Sequence, residues 1–551
     1  MNSKKKKLDI WTLITVCIFL MYILVLVFPL FTLLIKSFID GKTHGFSLAY
    51  FAKFFEKSYY YGSLFNSLKV TICVTLLCVL IATPLAYIMA TTKIKGKSII
   101  QILILISSMQ APFIGAYSWI LLLGRNGVVT NFLHSTLNIK VPEIYGFSGI
   151  LLVLTLQLSP LIFMYVSGAL KSVDNSLLEA AESMGCTGIK KMFKIMIPLI
   201  LPTLLAGSLL VFMRALADFG TPMLIGEGYQ TVPVLIFNEF ISEMGGDDGF
   251  AAAISVIVII FATVIFLLQK YISNKKSFTM SALHPMEAKK VKGIRNILVH
   301  GYVYLFIGIA LLPQVVVIYT SFLNTSGRVF TKGFSLNSYI SAFSKVGDSI
   351  RNTFALAIIA IVIVVILATL IAYVTVRRRN PLTNLLDILT MFPYIVPGSI
   401  LGIALLLTFN KKPLLLSGTV VIMIIAFVIR RLPYTIRSSA AIVHQISIST
   451  EEAAISLGAS DLKTFGKITL PMMLPGVIAG AILSWITIIS ELSTSIILYT
   501  AKTKTMTIAI YTEVLRGNYG TAACLATILT VITVISLLIF FKVSGKKEIT
   551  M

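Results

Sequence analysis

The sequence predicts an all-α polytopic membrane protein, with about twelve transmembrane helices in two parallel six-helix repeats. Three observations lead there. Only 12% of the 551 residues are charged, against 57% hydrophobic; a soluble chain carries about twice that share of charge. Uncharged stretches long enough to cross a bilayer, roughly 20 residues, recur along the whole length. One polar loop is written twice, 273 residues apart from Glu179 to Glu452.

In order, the apolar stretches lie near 10–35, 70–92, 98–124, 144–170, 195–213, 249–269, 296–322, 352–376, 388–410, 413–436, 468–490 and 517–541. Ten-residue segments of alternating polarity are absent, which favours helices over a barrel. The first stretch is too long and apolar for a cleaved signal peptide, and no small-residue cleavage site follows, so it reads as a retained anchor. Arg430 and Arg431 interrupt the tenth. Cytoplasmic loops are enriched in Lys and Arg. Lys4 to Lys7 precede the first stretch, and Lys93, Lys95 and Lys97 follow the second. Lys190, Lys191 and Lys194 lie in the first repeated loop, and basic residues run from Lys275 to Arg295. Arg377 to Arg379, Lys463, Lys467, Lys546 and Lys547 complete the set. Twelve alternating spans put all of these on one side, so both termini and both repeated loops are expected in the cytoplasm. Lys53, Lys57, Lys411 and Lys412 run against the bias. The net charge of +24 is mostly this asymmetry. With no soluble domain to present a basic face, nucleic acid is not an expected partner.

The halves meet at residues 273–293, a polar stretch with Gly, Pro, Ser and charge that reads as a cytoplasmic linker. The division is 1–272, 273–293 and 294–551. Asn66 is expected to open a helix ending in Ala82 to Tyr87 (ATPLAY), and Asn352 one ending in Ala368 to Tyr373 (ATLIAY). That offset is 286 (66 to 352) against 273 at the loops, so the first half carries 13 extra residues, expected around 124–145.

The first loop reads EAAESMGCTGIKKMFKIMIPLILP from Glu179, and the second EAAISLGASDLKTFGKITLPMMLP from Glu452. Glu-Ala-Ala favours helix. Gly185 and Gly458, six positions after each Glu, can end that helix or let another surface approach closely. Pro198 and Pro471 then suit the start of a new span. A short helix projecting from a membrane domain can seat in a groove of a soluble partner. An amphipathic connector lying on the headgroups is the bland alternative, and two copies in register weigh against it.

Glu-Ala-Ala, the Gly, and Ile-x-x-Pro (Ile195, Pro198) or Ile-Thr-Leu-Pro (468–471) resemble the EAA signature of permease subunits of binding-protein-dependent ABC importers. The resemblance covers nearly the whole chain as two fused permease domains. It implies that Glu179, Ala180, Ala181, Gly185, Glu452, Ala453, Ala454 and Gly458 dock on ATPase subunits, two copies, one per loop. ATP and Mg would be bound by that partner, and no cofactor is expected in this chain. ADFGTP after the first loop and the VPG-x-x-LG run (Val396 to Gly402) look like the ferric-iron permeases. Importers of 2-aminoethylphosphonate, polyamines and thiamine have similar halves. An extracytoplasmic substrate-binding protein would be received by the outer loops, including Glu227 to Asp248, at a bacterial cytoplasmic membrane. The chain itself is not expected to be an enzyme. Gly96-Lys97-Ser98 is the nearest thing to a phosphate loop, but Thr91 stands where its first glycine is required and no strand precedes it.

Ionisable residues at membrane depth default to functional candidates. Asp218 and Glu491 each lie 39 residues after the loop Glu (179 to 218, 452 to 491). They could line a translocation path for a cation, or pair locally, Asp218 with Arg214. Arg430 could neutralise Glu491, meet an anionic substrate, or snorkel. Pro160 and Pro433 match by the 273 offset and could kink both helices. No metal site is expected: His44, His134, His284, His300 and His444 are isolated, and the five cysteines lack metal or disulfide spacing.

These readings favour a fused permease subunit of an ABC importer, with ferric iron the expected substrate. An ion-coupled secondary transporter shares the two-halved architecture but has no need of the doubled loop. A membrane scaffold that transports nothing has no need of the matched acids and prolines.

Overall fold

A computed structural model describes residues 9–41, 43–108, 112–125, 127–139, 143–241, 247–275, 286, 288–326 and 329–544. Lys4 to Lys7, Lys546, Lys547, His284 and most of the 273–293 linker lie outside the described residues. The fold is helical because lipid offers no hydrogen bonds, so each spanning backbone must satisfy itself.

Among the described residues nine helices are long and apolar enough to cross a bilayer: Ile10–Ser37, Ser58–Thr91, Phe147–Lys171, Met192–Leu216, Asp248–Leu268, Ile294–Ser321, Asn337–Arg377, Asp461–Ile489 and Tyr519–Val543. Two more expected spans are helix pairs, bringing the total to eleven. Lys97–Ser108 with Phe113–Leu137 is one. The other, Pro381–Ile395 with Gly398–Thr408, bends by 111°. Its break has a local cause. Val396 is extended (φ −81°, ψ 121°), as a residue preceding proline prefers, and Pro397 supplies no N–H to continue the ladder. The start of that pair is equally defined. Asn380 Oδ1 accepts the Thr383 N–H at 2.9 Å while Thr383 Oγ1 accepts the Asn380 N–H at 2.8 Å, a reciprocal cap with Pro381 at the first helical position. The expected span at 413–436 is the 26-residue helix Val420–Gln445, whose Arg430, Arg431 and Arg437 keep it out of the apolar set.

Two expectations change in detail. Asn66 and Asn352 do not open helices. The first begins earlier, at Ser58, and the second, Asn337–Arg377, is two helical segments joined across a non-helical Val346 (φ −130°, ψ 15°), so its spanning part starts upstream of Asn352. Two short strands, Leu323–Ser326 and Val329–Phe334, pair as a small sheet in an otherwise helical fold. The expected extra length near 124–145 includes the helix Val128–Leu137.

The chain forms two compact units that do not follow the sequence halves. One comprises 1–52, 236–256 and 324–546; the other 53–235, 257–323 and 547–551. The first helix of each half thus belongs with helices of the opposite half. In the first unit Asp9 Oδ1 accepts the Trp11 N–H at 3.4 Å. Trp11 is buried against Tyr373 and Phe465, with ring centroids 4.5 and 5.0 Å away. In the second unit the Tyr302 hydroxyl donates to the Ile81 carbonyl at 2.7 Å, and Gln314 Nε2 to that of Ile106 at 3.4 Å.

Candidate functional site

The repeated loop folds the same way twice. Asn175–Ser183 and Ile448–Ser456 are the two loop helices. In the first, Asp174 Oδ1 caps the start by accepting the Ser176 N–H at 2.9 Å. Each helix ends at the glycine. Gly185 and Gly458 are left-handed (φ +77° and +87°). The next N–H reaches back five residues: Cys186 to the Ala181 carbonyl at 2.9 Å, Ala459 to that of Ala454 at 3.0 Å. This is the Schellman closure, which an L side chain resists. A Cβ at either glycine would meet nothing within 4 Å, so within this chain the conformation demands glycine and close approach does not.

The motif residues divide by face. Ala181 and Ala454 are buried and seat the helix on its unit, while Glu179, Ala180, Glu452 and Ala453 face outward. Beside each glycine sits a matched apolar side chain in the open, Met184 at 80% exposure and Leu457 at 90%. After each glycine the chain makes a short helix and a widened π-type turn, Met192–Met196 and Phe465–Thr469, before the Pro-containing span. Such turns concentrate at functional positions.

The loops are held differently. In the first, Glu182 pairs with Lys191, whose ammonium holds the Glu182 carboxyl below the usual carboxylate range. In the second, Glu451 is buried and bonds Arg377 Nε at 3.0 Å and the Tyr373 hydroxyl at 3.2 Å. Sequence reasoning missed Glu451. The doubled acid at 451–452 was its signal, but the partner lies 74 residues away.

The matched acids share a local task. Asp218 Oδ1 accepts the Thr221 N–H at 2.9 Å and Glu491 Oε1 the Thr494 N–H at 3.0 Å, each three residues on. Each thereby closes the turn that leads into a short helix, Gly220–Ile225 and Ser495–Leu498. Of the three alternatives for Arg430, the structure shows the contact with Glu491: Nη1 donates to Glu491 Oε1 at 3.1 Å, Ser493 Oγ at 2.9 Å and Thr494 Oγ1 at 2.6 Å. Arg431 Nη2 bonds the second carboxylate oxygen. The glycines of the VPG-x-x-LG run admit this cluster. A Cβ on Gly398 would lie 1.6 Å from Arg430 Nη1, and one on Gly402 2.9 Å from Ile497 Cβ. Among the described residues no group of three or more His, Cys, Asp or Glu comes together to hold a metal ion.

A second matched clamp went unread in the sequence. Asn66 Nδ2 donates to the Gln230 carbonyl at 3.1 Å, and Asn352 Nδ2 to those of Lys502 and Lys504 at 2.9 and 3.1 Å. Adjacent hydroxyls take the first N–H of the following helix, Ser67 from Val232 at 2.8 Å and Thr353 from Met506 at 2.7 Å.

Comparison with known proteins adds independent findings. The family described as binding-protein-dependent transport system inner membrane component matches residues 82–278 and again 364–547. The chain is 30% identical over 550 residues to the ferric transport system permease protein FbpB of Actinobacillus pleuropneumoniae, covering 97% of this chain and 78% of that one. It is 25% identical over 487 residues to the Fe(3+)-transport system permease protein FbpB 2 of Haemophilus influenzae, covering 88% of this chain and 90% of that protein.

Proposed function

The chain belongs to the binding-protein-dependent transport system inner membrane component family, as a fused two-domain ABC importer permease, and we propose that it carries ferric iron. The proposal rests on the names of its relatives, two of which are ferric or Fe(3+) transport permeases aligned over most of this chain. Iron enters as cargo received from an extracytoplasmic binding protein and held there. Loss of iron-dependent growth and of binding-protein-dependent ferric uptake on deletion of the chain is the expected result. Normal ferric uptake alongside lost uptake of 2-aminoethylphosphonate, a polyamine or thiamine would reassign the cargo.

The energy enters through the two repeated loops, each seated on one copy of a separate ATPase subunit that binds ATP and Mg. One observation carries this reading: a glycine-closed helix presents a matched exposed apolar side chain, Met184 or Leu457, in both copies. A large apolar side chain left in water beside a rigid turn suits a groove in a soluble protein. ATP-driven closure of two ATPases would move both loops and convert the membrane domain between inward and outward access. On this reading both loops and both termini face the cytoplasm, and residues 1–272 and 294–551 are the two permease domains joined by 273–293. Replacing Glu452, or Glu179 with it, tests the docking: ATPase association and uptake both fall, and unchanged association and uptake in the paired variant would reject it.

Asp218, Glu491 and Arg430 are proposed to shape the translocation path by fixing the turns after the fifth span of each half. Asp218→Asn and Glu491→Gln keep the acceptor oxygen that closes each turn but remove the charge. Normal uptake at normal expression in both would reject a path role for the charge.

A further inference from the structure

We infer that Arg377 and Glu451 form the joint through which the second loop moves the membrane helices, an inference that rests on the docking reading above. Arg377 ends the helical segment Asn337–Arg377, which is kinked at Val346. Its Nε donates to Glu451 Oε1 at 3.0 Å and its Nη2 to the Ile446 carbonyl at 2.6 Å. Ile446 closes the helix Val420–Gln445, and Glu451 lies in the first turn of the loop helix Ile448–Ser456. One guanidinium thus bonds two helix ends and terminates a third. The charges agree with the helix dipoles, the cation at a C-terminus and the anion at an N-terminus. The side chains are 8% and 10% exposed.

The far end of the same loop is tied to the same elements. Arg378 Nη2 bonds Asp461 Oδ2 at 2.9 Å, beyond Gly458, and Arg378 Nη1 lies 3.9 Å from Asp9 at the start of the first helix. Phe465 packs on Tyr373 with centroids 4.7 Å apart and on Trp11 at 5.0 Å. The loop is therefore held on both sides of its glycine to the helices Asn337–Arg377 and Ile10–Ser37.

The first loop lacks this joint. The repeat offsets put Leu178 where Glu451 stands, Thr91 where Arg377 stands and Met192 where Phe465 stands. Leu178 is buried, so the same seat is filled by apolar contact. Apolar contact is non-directional and permits sliding, whereas three charge-assisted bonds fix an angle. A buried ion pair adds little stability over an apolar pair of similar volume, and the first half shows that the apolar solution folds. What the pair adds is a defined direction of push. The two loops dock alike, and the second transmits more firmly.

The test copies the first half's solution into the second: Arg377→Thr with Glu451→Leu. The permease, its ATPase and its binding protein are reconstituted in vesicles. Copurification of the ATPase, basal ATP hydrolysis and stimulation of hydrolysis by the binding protein are measured. Association and basal hydrolysis stay at the unaltered level, while stimulation falls about fivefold or more, the lower end of ordinary intersite coupling. Glu182→Gln, which breaks the first loop's pair, leaves stimulation near its unaltered value. Unchanged stimulation in the assembled double variant overturns the joint, and so does an equal loss with Glu182→Gln. Loss of association would also overturn it, by making the pair part of the docking surface. Should the double variant fail to accumulate, Arg377→Lys, which keeps the charge but loses the guanidinium fork that bonds Glu451 and the Ile446 carbonyl at once, carries the same readout. Failure of the docking reading is seen separately, as ATPase association indifferent to Glu452 and Gly458.

Discussion

Replacing Gly458 by alanine separates what the glycine does for its own chain from what it does for a partner. The backbone there is left-handed at φ +87°, and an added Cβ has open space around it. No clash contributes, so the cost is backbone strain alone, about 1–2 kcal/mol for an L-residue in that region. Against the stability of a large membrane domain this leaves the fold intact. At the loop it disfavours the closed turn by a factor of about 5–30, and docking weakens by up to that factor if only the closed turn binds. Gly185→Ala, at φ +77° and equally open, costs the same. Gly458→Asn costs less, because asparagine tolerates the left-handed region. The assay is titration of detergent-solubilised permease with the ATPase subunit, alongside thermal unfolding. The order Gly, Asn, Ala in affinity is expected. An asparagine variant weaker than the alanine one would refute the reasoning, since size and not backbone strain would then decide.

Other consequences follow from the same geometry. Gly398→Ala drives a methyl to 1.6 Å from Arg430 Nη1 and lowers stability by about 1–3 kcal/mol, the usual cost of overpacking, read as a lower Tm. Glu491→Ala leaves the Arg430 and Arg431 guanidiniums without the carboxylate they share. It costs about 3–5 kcal/mol and is seen as lost accumulation, while Glu491→Gln is milder because it retains an acceptor for the Thr494 N–H. Asn352→Ala breaks two bonds where Asn66→Ala breaks one. At about 1 kcal/mol per bond, the former lowers the Tm more.

Element type was legible where the physics is local. Long uncharged runs become spanning helices because a single segment in lipid must satisfy its own backbone hydrogen bonds, and the loop glycines announced their helix ends. The bend in Pro381–Thr408 was foreshadowed by Val396-Pro397-Gly398 but read as a continuous span, since apolar composition masks a break. The matched Thr221 and Thr494, each three residues after its acid, carried a turn signal that was overlooked in favour of the charge. Packing between distant segments was not legible. Helix order along the chain does not say that Ile10–Ser37 belongs with residues 324–546. Nor does it say that Arg377, read as one of several basic residues after a span, turns inward to Glu451. The Arg430–Glu491 contact was one of three readings the sequence left open, since opposite charges in apolar surroundings must meet or be solvated and the depth of Arg430 was not legible.

The central claim is that the two repeated loops are docking points for an ATPase. A photo-reactive amino acid in place of Met184 or Leu457, activated in membranes containing the assembled importer, tests it most directly. Crosslinks from both positions to the ATPase subunit, and none from Val128 or Val329, which the proposed orientation puts on the opposite side of the membrane, are the predicted result. Crosslinks to lipid alone from both loop positions would contradict the account and leave the repeated loops as connectors lying on the membrane surface.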